Sequence, residues 1–167
     1  KNLTLFNDDI LKWDNKNMNY EIIFGNVPYN ISSQIIFKFL SKYDWESMIL
    51  MLQKELAQRI VSNHNKREFG RISVMVQTFC NAKIETNISK NVFFPKPKVD
   101  SSIIRFSKKN KIDLNHDKYS SFIKECFKQK RKKLKNNLRN ICDKNILGDL
   151  KEKRPENISV SKYIKFI

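Results

Sequence analysis

The chain has 167 residues, with 33 Lys and Arg against 17 Asp and Glu and a net charge of +16. That length accommodates one ordinary core, or a modest domain with a small appendage, and excludes three units. So large a positive excess makes a polyanion the natural partner, nucleic acid first, and no apolar run approaches the roughly 20 residues needed to span a bilayer, so no membrane partner is expected.

In chain order, the apolar stretches 3–6 and 21–24 each run into polar residues, Asn7 to Asp9 after the first and Gly25 and Asn26 after the second, and read as short strands ending in loops. Ile35, Ile36, Phe39 and Leu40 recur at helical spacing behind Ser32, a suitable N-cap. The continuous apolar run 48–52 reads as a buried parallel strand, and 55–61 as a helix. Strand and helix in alternation predict an open α/β sheet, whose ligand sites lie outside the carboxyl ends of the strands, where Asp9 and Asn26 fall. Residues 72–80 fit helix or strand by periodicity, and length and the preceding Gly70 favour helix. Residues 83–88 and 101–106 read as an antiparallel pair at the sheet's edge, joined by the Pro-containing loop 91–99.

After residue 108 the character changes. Residues 1–100 hold 14 basic and 10 acidic side chains and residues 101–167 hold 19 and 7, so +12 of the charge lies in the second segment, whereas a compositional bias would spread evenly. We place a boundary between units 1–110 and 111–167, with 114–118 as linker. In the second unit Ile123, Phe127, Leu134, Leu138 and Ile141 fall on one helical face, and Lys128, Lys130, Arg131, Lys132, Lys133, Lys135 and Arg139 cover the rest. Pro155 interrupts, and 159–167 reads as a terminal helix. Four consecutive cations, 130–133, repel one another more than an idle surface need tolerate, which points to phosphate contact rather than a merely solvated face. Cys80, Cys126 and Cys142 are far apart, with only His64 and His116 as imidazoles, so neither a disulfide framework nor a metal site is indicated, and a cytoplasmic setting fits.

The strongest chemical signal is Phe24-Gly25-Asn26-Val27-Pro28-Tyr29-Asn30-Ile31-Ser32, between a predicted strand and a predicted helix. An exocyclic adenine nitrogen is a poor nucleophile because its lone pair is delocalised into the ring. Two acceptors on its hydrogens, the Asn26 side-chain oxygen and the Val27 or Pro28 carbonyl, would favour a reactive pyramidal geometry. Proline sets φ and removes a donor, and Tyr29 offers a face on which an extruded base can stack. Alone, Asn-x-Pro-Tyr is also an ordinary loop with a tyrosine over a core; its context decides.

That context is Val92-Phe93-Phe94-Pro95-Lys96-Pro97-Lys98-Val99-Asp100-Ser101, with Glu55, Arg59 and Phe69-Gly70-Arg71-Ile72-Ser73-Val74-Met75-Val76-Gln77. With these, with the basic stretch 127–134 and with Arg154-Pro155-Glu156-Asn157-Ile158-Ser159, the chain resembles the KsgA family of small-subunit rRNA adenine dimethyltransferases over nearly its whole length. The resemblance implies a Rossmann-like class I methyltransferase sheet followed by a small all-α unit. It implies methyl transfer from S-adenosylmethionine to two adjacent adenines of 16S rRNA in an immature 30S subunit, by a protein monomeric when complete. Asn26, Val27, Pro28 and Tyr29 match the family's target-adenine turn, and Phe93 its opposing aromatic, against the alternative that Phe93 packs in a core; Phe94 is the neighbour expected to be buried. Asp9 matches the acid that accepts from the cofactor's adenine amino group, with Ile10 beside it, unless Asp9 is a loop acid or helix cap; Gly25 and Asn26 match the methionine end. Lys98 and the cations from Lys128 to Arg139 match the RNA-binding surface.

One departure stands out. The Gly-rich turn and ribose-binding acid of class I methyltransferases are not here: Gly25, Gly70 and Gly148 are the three glycines, and none occupies such a turn. The first strands of the sheet are therefore expected to be missing, and this chain by itself is expected to bind cofactor weakly and to be inactive. Rival readings are a large-subunit rRNA adenine methyltransferase of the antibiotic-resistance type, which residues 129–134 and 154–159 argue against; a non-catalytic RNA-binding assembly or transcription factor on the same fold; and a DNA amino-methyltransferase, made less apt by Val27.

Overall fold

A computed structural model describes residues 2–14, 19–110, 112–139 and 148–166. Its centre is a four-stranded sheet in the order β1-β2-β4-β3, made of β1 (Asn19–Asn26), β2 (Asp44–Gln53), β3 (Cys80–Ile88) and β4 (Ser101–Lys108). β1 runs parallel to β2, with Asn26 beside Met51, and β4 lies antiparallel between β2 and β3. The predicted antiparallel pair therefore forms at one edge of the sheet, with β3 outermost and β4 between it and β2. The run 48–52 is the heart of a longer strand, in which Met48, Leu50 and Leu52 are buried while Ile49 and Met51, on the opposite face, are half-buried.

Helix α1 (Ser32–Lys42) follows β1 and buries Ile35, Ile36, Phe39 and Leu40, the predicted face, against Met48, Leu50, Ile104 and Phe106. Ser32 is not its N-cap. Ile31 holds that position, and the Ser32 hydroxyl turns back to the Pro28 carbonyl at 2.8 Å. Helix α2 (Lys54–Val61) begins directly at the end of β2. Helix α3 (Arg71–Phe79) confirms the helical choice for that stretch and serves two cores, with Ile72 and Val76 facing the sheet and Val74 and Met75 facing the tail.

The second core gathers Phe69, Val74 and Met75 with Tyr119, Ile123, Cys126, Leu134, Leu138, Ile158 and Tyr163. It is built on α4 (His116–Cys126), α5 (Leu134–Asn137) and α6 (Val160–Ile164), with short 3-10 turns at Gly148–Glu152 and Pro155–Asn157. At roughly 1.5–3 kcal/mol per fully buried large apolar side chain, both cores are substantial.

Three further expectations are corrected. Residues 3–6 form no strand: Leu3 and Leu5 are 78% and 85% exposed, and a strand without a hydrogen-bonded neighbour has nothing to hold it extended. The linker at 114–118 is overrun by α4, because Asn115 caps it by accepting from the Lys118 N–H at 3.0 Å. The single basic helix is broken: 127–132 are turns, and although Ile123, Leu134 and Leu138 share a core, they reach it from two helices. Asn137 makes that break, donating to the carbonyls of Cys126 and Gln129 at 2.7 and 3.2 Å and accepting from the Gln129 N–H at 3.2 Å. Ile141 lies outside the described residues, as does residue 167 of the predicted terminal helix.

Candidate active site

The parallel pair β1 and β2 ends at one edge of the sheet, and β4, running the other way, begins there. That edge therefore collects Asn26, Gln53 and Ser101 from three adjacent strands. Asn26 is the last residue of β1 and is exposed, Val27 is buried beneath it, and the chain turns through Pro28 and Tyr29 into α1. The turn is internally braced. The Pro28 carbonyl accepts from the Ile31 N–H at 3.2 Å and from the Ser32 hydroxyl at 2.8 Å, which uses both of its lone pairs. Space is tight at Gly25, since a methyl group there would stand 3.0 Å from Leu50 Cδ2 and 3.3 Å from Val27 Cγ1, and these side chains would have to give by a few tenths of an ångström.

Opposite this turn lies the loop 89–100, with a 3-10 turn at Lys90–Val92 and a cis Phe94–Pro95 bond. Asn26, Val27, Pro28, Tyr29 and Phe93 together line one open cleft of about 380 Å³, with Met51, Phe94, Pro95 and Pro97. Phe93 is half-buried there while Phe94 is wholly exposed, so neither ring is a core residue. Tyr29 is aimed by its hydroxyl, which meets Ser101 Oγ at 2.7 Å. Met51, with Pro95, Pro97 and Ser101 of the stretch 92–101, belongs to this cleft or its walls, and the sequence reading assigned none of the four a role in the site. The alternation of β2 could have found Met51, two residues before Gln53 on the same face.

Asp9 and Ile10 do not line that cleft. Asp9 Oδ1 accepts from the Leu11 N–H at 2.9 Å, and the Asp9 carbonyl accepts from Lys12 and Trp13, a local turn that fixes its carboxylate. The turn is tied to α1 by Lys38, whose ammonium donates to the carbonyls of Ile10 and Leu11, each at 2.9 Å, and to that of Trp13.

Of the predicted cations, Lys98, Lys128, Arg131, Lys132, Lys133 and Arg139 are exposed and Lys130 and Lys135 half-buried. Lys128 pairs with Glu125 at 3.1 Å and Lys130 donates to the Arg67 carbonyl. Lys133 and Lys135 share Glu152 at 2.9 and 2.6 Å, and their hydrogen bonds, Lys135 first, pull the Glu152 carboxyl down to about 2. A separate open cavity of about 620 Å³ adds Lys153 and Lys162, not singled out from sequence, and Arg154 of the segment 154–159, beside Lys133 and His64. Nothing local marks the two lysines: they come together through the fold. Among the described residues, no helix is long and apolar enough to cross a membrane.

The family model for ribosomal RNA adenine dimethylase matches residues 1–164. Ribosomal RNA small subunit methyltransferase A of Malacoplasma penetrans is 40% identical over 177 residues, covering 99% of this chain and 65% of the relative. Its counterpart in Mycoplasma mobile is 38% identical, covering 98% and 68%. The chain thus spans about two thirds of the length of these relatives. Among solved structures, a dimethyladenosine transferase from Plasmodium falciparum superposes with a TM-score of 0.84 at 25% identity, over 96% of this chain and 70% of the other. The 23S rRNA methyltransferase ErmE, at 20% identity and a TM-score of 0.65, shares the fold. With a Rossmann-like α/β sheet and a family match over residues 1–164, the chain belongs to the ribosomal RNA adenine dimethylase family.

Proposed function

We propose that the protein is an rRNA adenine dimethyltransferase, acting on the exocyclic amino groups of two adjacent adenines near the 3′ end of small-subunit rRNA during ribosome biogenesis in the cytoplasm. The observation that carries this reading is the meeting of Asn26, Tyr29 and Phe93, separated by up to 67 positions, in one open cleft at the carboxyl edge of the sheet. Tyr29 and Phe93 take the two faces of an extruded purine. The Asn26 side-chain oxygen and the Val27 carbonyl accept from its amine; the Pro28 carbonyl is committed to Ile31 and Ser32.

S-adenosylmethionine, the donor implied by the family, supplies a methyl group already activated on sulfonium, so this chain's part is proximity, orientation and electrostatic fit, and no general base is assigned. The residues present suit its two ends: Asp9, with its carboxylate set by the Leu11 N–H, beside Ile10 for an amino group, and Gly25 with Asn26 toward the methyl-bearing end. Weak cofactor binding by this chain alone is our reading of its three glycines, and calorimetric titration with S-adenosylmethionine checks it.

The tail supplies phosphate contacts through Lys128, Lys130, Arg131, Lys132, Lys133, Lys135 and Arg139, with Lys98 near the cleft, and holds the RNA of a maturing 30S subunit in register. Units 1–110 and 111–167 divide these tasks in a monomer. The test is Asn26→Ala in protein expressed from its complete reading frame, assayed on purified small and large ribosomal subunits. Methyl incorporation into the small subunit should vanish while RNA binding stays within about twofold. Incorporation into the large subunit alone would favour the antibiotic-resistance type, and no incorporation by unaltered protein would favour a non-catalytic RNA-binding factor.

A further inference from the structure

We propose that Asp100 and Ser101 form a positioning clasp that sets the gap between the rings of Tyr29 and Phe93; this rests on the base-gripping role proposed for those rings. A flat purine held on both faces needs two van der Waals contacts of about 3.5 Å, a gap of roughly 7 Å, and a radial error of 0.5–1 Å forfeits about a quarter to a half of each contact. The gap must therefore be fixed before the base arrives.

Packing does not fix it. No side chain of 89–100 is fully buried, Val92 is 69% exposed and Phe94 fully so; the loop brings no core of its own. Polar contacts to the sheet do the fixing. Ser101 opens β4, is fully buried, and is paired with Gln53 of β2 on one side and Ile88 of β3 on the other. Its hydroxyl meets that of Tyr29 at 2.7 Å. The preceding residue holds the other wall: the Asp100 carbonyl accepts from the Lys54 N–H at the start of α2 at 3.0 Å, and Asp100 Oδ1 accepts from the Lys90 N–H at 3.0 Å. Lys90 begins the turn Lys90–Val92, Ser89 Oγ accepts from the Asn91 N–H within it, and Phe93 follows directly. Each ring is thus referred, through one short set of hydrogen bonds, to two consecutive residues where an interior strand begins. Neither Asp100 nor Ser101 touches the base; both act through the rings.

The experiment uses protein from the complete reading frame and a small-subunit RNA with 2-aminopurine at the target adenine, whose fluorescence is quenched when the base stacks. Methyl transfer to the same RNA with its natural adenine gives kcat and the RNA KM, since 2-aminopurine has no 6-amino group to accept a methyl and reports stacking only. Asp100→Ala and Tyr29→Phe should each lower kcat about tenfold or more while RNA KM stays within about twofold, and both should weaken the quench. Asp100→Asn, which keeps an oxygen to accept from the Lys90 N–H, should restore the quench and at least half of kcat, a rescue that a role in overall charge would not give. Unaltered kcat and quench in Asp100→Ala or Tyr29→Phe, or an Asp100→Asn as impaired as Asp100→Ala, overturns the clasp. Phe93→Ala separates the two levels. If it loses activity while Asp100→Ala does not, the clasp alone fails; full activity in Phe93→Ala removes the base-gripping reading and the clasp with it.

Discussion

The hydroxyl of Tyr119 donates to Thr78 Oγ1 across 2.9 Å, deep in the second core. The direction follows from Thr78, whose single proton is directed at the Val74 carbonyl at 2.8 Å, a group that can only accept. Burial pushes the Tyr119 phenol up to about 12, so it keeps the proton that it gives. This bond joins α4 of the tail to α3 of the sheet layer.

Thr78→Val should therefore be worse than Tyr119→Phe. The first leaves a phenol hydroxyl in the core without its acceptor, for about 1–3 kcal/mol, whereas the second removes the donor, for about 1 kcal/mol. Urea unfolding of both variants gives the order, and the reverse order would mean that Tyr119 finds another acceptor.

Glu152 restrains Lys133 and Lys135. Its carboxyl lies at about 2 in the folded protein against an ordinary 4.5, a depressed value, so its stabilisation is present above about 4.5 and is lost as pH falls toward about 2. Near neutrality both pairs hold. Glu152→Gln should free two cations, raise affinity for RNA, and steepen the dependence of log K on log salt by up to about 1.4–1.8, at about 0.7–0.9 per added phosphate contact. Fluorescence anisotropy at several salt concentrations measures this, and the gain should be the same at pH about 5.5 and 7.5. A slope identical to that of the parent would show that those lysines do not meet phosphate.

Lys38 holds the Asp9 turn against α1 through three backbone carbonyls. Lys38→Met keeps the aliphatic stem and removes every donor. Stability should fall by about 1.5–3 kcal/mol, the scale of bonds to a charged group. Tryptic cleavage after the exposed Lys12 should accelerate about tenfold as the turn opens locally, which a mass-spectrometric time course would detect.

Gly25→Ala places a methyl group 3.0 Å from Leu50, a side chain buried in the sheet core with little room to yield. Overpacking of this kind costs about 1–3 kcal/mol. Because Val27 must also shift, methyl transfer by the complete protein should fall more than RNA binding, read by parallel thermal melts and turnover assays.

That Asn26, Tyr29 and Phe93 belong to one site was legible in the sequence because the cleft's residues come in two short runs whose types carry their own chemistry: an amide and a proline-set turn before Tyr29, and aromatics among prolines around Phe93. The clasp was not, since Ser101 meets Tyr29 across 72 positions and nothing local distinguishes it from any serine opening a strand. The basic stretch shows the opposite failure. Its apolar spacing reads as one helix, but Asn137 offers the backbone at Cys126 and Gln129 a competing set of hydrogen bonds, and the helix breaks there.

By itself the sequence determined the apolar face of the helix behind Ser32 and the buried run 48–52, and through length and Gly70 the helix over 72–80, and hence the α/β layering, because each segment carries in its own residues the apolar content that burial demands. Only the tertiary structure decided that β4 inserts between β2 and β3, that α3 serves two cores, and that residues 3–6 remain outside the sheet. Those outcomes depend on which backbone groups and side chains find partners far along the chain, and pairing of that kind leaves no periodic trace in either partner.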